Sequence, residues 1–158
     1  MSSNKTLYIN LPVTSLPASL EFYKALGFEQ NHEYSNDKAA MVTLSSSVTE
    51  TPLTLMLVTH DFFKFFLGNK RQLGDIKTHS EVILCVSMPT KYAVDKMFVF
   101  LNRKFPVTAD VLFRLEQAKT AGAEIGVTTA MEMPGMYGGS FADLDGHIFE
   151  FLCALDVR

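Results

Sequence analysis

Residues 7–13 alternate, with apolar side chains at 7, 9, 11 and 13 and Tyr8, Asn10 and Pro12 between them. That alternation predicts a half-buried strand, with Pro12 near its end. A helix is predicted next. Ser15 can cap it, Pro17 sits in a first turn that needs no N–H, and Leu20, Phe22, Tyr23 and Leu26 form an apolar stripe. Gly27 closes it. Three more strand-like runs follow at 28–34, 39–45 and 53–59, separated by polar turns. The first half thus reads βαβββ. Residues 60–66 predict a short aromatic helix ending near Gly68, and 69–78 a polar linker. Phe62, Phe63, Phe65 and Phe66 have two readings: a clamp on an aromatic or thioester ligand, or packing of the helix against the body or a partner.

The pattern then restarts. Residues 81–88 read as a strand, a long helical stretch ends at Ala121-Gly122, and 124–129, 137–143 and 148–152 read as strands. This second βαβββ unit makes an internal repeat, which predicts an α+β fold of two modules with paired or stacked curled sheets. The expected boundaries are 5–59 for the first module, 60–79 for the linker and 80–156 for the second. Residues 99–115, with Pro106 in their middle, interrupt the second helix and stand as an insertion. They predict two helices, or a loop between half-helices, joined around Phe105-Pro106. Either an evolved insertion or a retained intron in the gene would account for them.

Composition narrows the function classes. The chain has 158 residues, 47% hydrophobic and 20% charged, enough for one folded domain and too apolar for a disordered chain. A net charge of -3 argues against nucleic acid as partner. No apolar run reaches the ~18–20 residues of a membrane helix. The N-terminus lacks the pattern of a signal peptide, so the cytoplasm is the default compartment. Cys85 and Cys153 have neither a disulfide framework nor a zinc spacing. Alternation puts Cys85 on one sheet face with Glu81 and Ile83, and Cys153 on the other with Phe149 and Phe151.

The run from Met133 to Phe151 carries a family resemblance. Asp143-Leu144-Asp145-Gly146-His147-Ile148-Phe149-Glu150 matches a D-x-D-G-x-x-x-E ending. Leu11-Pro12-Val13-Thr14-Ser15-Leu16 and Glu21-Phe22-Tyr23-Lys24-Ala25-Leu26-Gly27-Phe28 match an opening strand and helix. On these motifs the chain resembles the vicinal oxygen chelate superfamily, which includes glyoxalase I, extradiol dioxygenases and bleomycin- and fosfomycin-resistance proteins. Within it, the chain is most similar to predicted lactoylglutathione lyase-like proteins. The resemblance covers nearly the whole chain apart from 99–115.

What the resemblance implies is a metal at the floor of a cup, held from four strands. The first ligand position falls on Tyr8, the second near Met56, the third on Glu81 and the fourth on Glu150. Two carboxylates are kept, while the other two positions carry a phenol and a thioether. Glu81 and Glu150 are therefore the candidate metal ligands and general acid or base. Tyr8, Asn10 and Met56 are candidate ligand-binding residues. The residues alone also allow Glu81 to be a solvated strand start. Glu150, between Phe149 and Phe151, more strongly suggests a functional or cup-lining role, because burying a carboxylate there is costly unless it is paired or coordinates something. Asp143, Asp145 and Gly146 read as a turn device and His147 as a turn residue.

Two functions follow from the resemblance. One is a glyoxalase-like lyase or isomerase that acts on a small thiol adduct or vicinal-oxygen substrate with Zn, Ni, Mn or Mg. The other is a metal-free small-molecule binding or sequestering protein of the bleomycin-resistance type. Both imply a small-molecule ligand and a homodimer.

Overall fold

The computed structural model describes residues 7–45, 52–80, 82–104 and 131–155. Two four-stranded mixed sheets divide the chain. In the first, β1 (Tyr8–Val13), β2 (Glu29–Asn31), β3 (Ala39–Leu44) and β4 (Leu53–Thr59) lie in the order β1-β4-β3-β2. In the second, β5 (Ile83–Ser87), β6 (Met131–Met133), β7 (Met136–Ala142) and β8 (Ile148–Ala154) lie in the order β5-β8-β7-β6. Each sheet pairs its first and last strands in parallel and the others antiparallel. The repeated strand order gives the two halves the same topology.

Helix α1 (Leu16–Ala25) starts at Ser15, whose side chain accepts from the Ala18 N–H, and has Pro17 in its first turn. Gly27 adopts φ 93°, a left-handed conformation that ends the helix at little cost to glycine. The apolar stripe of α1 serves both modules. Phe22 and Tyr23 belong to one core with Leu44, Leu55 and Leu57 of the first sheet. From the same helix, the Phe22 ring lies 6.4 Å from Phe141 and the Tyr23 ring 6.1 Å from Phe149, both in the second sheet. A single hydrophobic core therefore runs through both modules.

Two expected elements change. The strand expected at 28–34 stops at Asn31, and His32–Tyr34 forms a 3₁₀ turn. The Asn31 side chain accepts from the Glu33 N–H at 3.0 Å and its carbonyl accepts from Ser35 Oγ at 2.6 Å, so local side-chain bonds outcompete the ladder. Helix α2 (His60–Leu67) forms as expected. Phe65 and Phe66 on it are exposed, 77% and 63%, and stack with Phe62 instead of packing on the body. Helix α3 (Lys91–Lys104) runs unbroken through the first part of 99–115. The rest of that segment and the strand expected at 124–129 lie outside the described residues.

Candidate functional site

Strand alternation separates each sheet into a core face and an outer face. In the first sheet, Ile9, Leu11, Val13, Leu55 and Leu57 point into the core. Tyr8, Asn10 and Pro12 take the opposite face, as alternation predicts. Register sets their neighbours: Tyr8 lies beside Thr54, and Asn10 beside Met56, which in turn lies beside Met41. The hydroxyls of Thr43 and Thr54 bond to each other across 3.2 Å. This face therefore offers an amide, a phenol and thioethers, with its hydroxyl pair already satisfied.

The second sheet presents a different row. Cys85 lies beside Glu150, and Glu150 beside Ser140. Cys85 is the third residue of β5, as Asn10 is the third of β1, so Cys85–Glu150 takes the place that Asn10–Met56 holds in the first module. Two residues before Cys85 is Ile83, in the position that Tyr8 holds relative to Asn10. Glu81 lies outside the described residues. Cys85 is exposed and Cys153 is buried in the core, as the alternation predicted. Partial burial pushes the Cys85 thiol up from its ordinary pKa, and the Glu150 carboxylate adds to this.

The donors on these faces do not fit a hard divalent cation. Tyr8, Met56 and Glu150 supply a phenol, a thioether and one carboxylate, whereas such ions take imidazole or several oxygen anions. Among the described residues, no three His, Cys, Asp or Glu side chains are grouped to hold a metal.

The Asp-x-Asp-Gly-His ending of the sequence motif does something else. Asp143 Oδ1 accepts from the backbone N–H groups of Asp145, Gly146 and His147 at 3.0, 2.9 and 2.8 Å, the expected turn device. Its Oδ2 accepts from the Tyr23 hydroxyl at 2.6 Å. Asp145 leaves the turn: it accepts from the Thr14 N–H at 2.8 Å and from Ser19 Oγ at 3.4 Å. His147 Nε2 donates to the Pro12 carbonyl at 2.8 Å. Tyr23, Thr14, Ser19 and Pro12 all belong to the first module. The Asp-x-Asp-Gly-His turn is therefore a buried polar clasp between modules, a role that sequence reasoning missed. The available signal was the Phe22-Tyr23 pair, since a tyrosine on a core stripe needs a partner for its hydroxyl. Burial raises the Asp143 carboxyl, against the lowering effect of His147 and of its hydrogen bonds. Burial and the neighbouring Asp143 raise the Tyr23 phenol well above its ordinary value.

No protein-family model and no curated protein sequence matches the chain. Solved structures do. A hypothetical protein from S. aureus is 26% identical over 97% of this chain and 96% of its own, with a TM-score of 0.63. A glyoxalase/bleomycin resistance protein/dioxygenase family enzyme from Burkholderia phytofirmans is 16% identical over 94% and 97%, with a TM-score of 0.62. A bleomycin resistance determinant encoded on the transposon Tn5 is 14% identical over 96% and 98%, with a TM-score of 0.56. Two repeated modules, their strand order and these likenesses agree: the chain has the glyoxalase/bleomycin-resistance/dioxygenase fold.

Proposed function

We propose that the protein binds a small, largely apolar organic molecule on the outer faces of its sheets, as a binding or sequestering protein of the bleomycin-resistance type. The observation that carries this reading is the pair of central rows, Asn10–Met56–Met41 and Cys85–Glu150–Ser140. They combine soft apolar surface with a few polar anchors, the usual make-up of a small-molecule site. Asn10 and Tyr8 offer hydrogen bonds to the ligand, and Glu150 accepts from a donor or cation on it. The reading includes a homodimer. Tyr8 and Ile83, at the starts of the two edge strands, are 50% and 53% exposed, and a second copy would cover them.

The test is binding and metal content together. Purified protein, free of chelator and metal-affinity resin, is screened by thermal shift against aromatic and thiol-containing compounds, and its metal is measured by elemental analysis. The expected result is stabilisation by at least one compound class, weakened in Glu150→Gln and Met56→Ala, with no stoichiometric metal. Near one metal per chain, lost in Glu150→Gln and in Glu81→Gln, would overturn it in favour of the metal-dependent glyoxalase-like lyase.

A further inference from the structure

A cleft of about 670 Å³ lies between the linker and the junction of the two modules, and of the two central rows it reaches only Asn10. One wall is β1 at the sheet edge, where consecutive residues from Ile9 to Pro12 line it. Leu84 of β5 faces it across the junction, and Phe63 and Leu67 close it from α2. Its floor is therefore apolar. Its rim differs: the linker contributes Arg71 and His79.

The linker is basic within an acidic chain. Residues 69–80 hold Lys70, Arg71, Lys77 and His79 against Asp75, with Glu81 next in sequence, whereas the whole chain carries a net charge of -3. Asp75 is engaged, accepting from the Lys77 N–H at 3.1 Å. An apolar pocket within the usual ~300–1,000 Å³ of ligand sites, with a cationic rim, suits one chemistry. That chemistry is a hydrocarbon or aryl body ending in a carboxylate. Arg71 would bind the carboxylate as a planar two-donor fork.

We infer that this cleft binds an amphiphilic carboxylate, with its apolar body against Leu67 and Leu84 and its anionic end at Arg71. The site meets the rows of the proposed function only at Asn10, and it does not depend on that reading.

Titration calorimetry with sodium dodecanoate, kept below its micelle concentration, tests this. The expected result is a saturable single-site isotherm that weakens by roughly tenfold or more in Arg71→Glu, as for a lost charge-assisted hydrogen bond. Dodecan-1-ol should bind correspondingly weakly and dodecyltrimethylammonium should not bind. Leu67→Trp should crowd the apolar wall and weaken binding, and Glu150→Gln should leave it unchanged. Arg71 is exposed, so its variant reports on the site even if Leu67→Trp misfolds. Absence of saturable binding overturns the inference. So does an isotherm indifferent to Arg71→Glu, or one weakened by Glu150→Gln, which would place the ligand on the outer sheet face.

Discussion

The hydroxyl of Tyr23, on the first helix of one module, donates to Asp143 Oδ2, in the last turn of the other, across 2.6 Å. The two residues are 120 positions apart, and both are buried. With Asp145 on Thr14 and His147 on Pro12, the bond joins modules whose sheets share no ladder among the described residues.

Tyr23→Phe should cost about 1–3 kcal/mol, because it leaves a buried carboxylate oxygen short of a donor while the ring packing survives. At roughly 2–4 °C per kcal/mol for a chain of this size, the melting temperature should fall measurably. Asp143→Asn in a double-mutant cycle with Tyr23→Phe should give a coupling above zero. Strict additivity would show that the bond does not join the two sites energetically.

Alkali should loosen the same clasp. The folded Tyr23 phenol ionises well above 10.0, its ordinary value, so the unfolded chain releases that proton first. The stabilisation is complete below pH ~10 and is lost as pH rises toward the folded value. Tyr137, pushed up to about 12 mainly by its hydrogen bond to Asp95, acts in the same window from the surface. Denaturant midpoints should fall between pH ~9 and 12, and fall less in Tyr23→Phe. Equal slopes in both proteins would assign the loss to other groups.

Two glycines should respond oppositely to alanine. A Cβ on Gly138 would lie 2.4 Å from the Phe151 carbonyl oxygen and 2.3 Å from Leu152 Cδ2, so β7 and β8 would have to part. Gly138→Ala should destabilise by several kcal/mol or prevent folding. A Cβ on Gly74 meets nothing within 4 Å. Gly74→Ala should therefore stay within about 0.5 kcal/mol of the parent, a change typical of open surface positions. Thermal melts of the two variants check this.

The cysteines should separate by reactivity. Cys85 is exposed, but its raised pKa keeps it a thiol at neutral pH, so alkylation should be slow and accelerate with pH. Cys153 is buried and should react only on unfolding. Mass spectrometry after timed iodoacetamide treatment reads both rates. Fast modification of Cys153 in the native protein would contradict its place in the core.

Much of this was legible in the sequence, for a physical reason. Alternation and helical spacing depend on local geometry, so β1, α1, β3, β4 and α2 were readable, as was the repeat. Facing was readable too: Tyr8 and Asn10 point away from the core that Ile9 and Leu11 enter, and Cys85 and Cys153 lie on opposite faces. The end of β2 was not legible, because the Asn31 side-chain bonds that stop it compete with the ladder over only a few residues.

What only the tertiary structure decided is which strangers in sequence become neighbours. Register placed Glu150 between Cys85 and Ser140, and Met56 between Asn10 and Met41. It also turned Asp145 and His147 from local turn residues into partners of Thr14 and Pro12. Spacing along a chain determines which face a side chain takes. The partner it finds there depends on how two modules, joined by a long linker, pack their shared core.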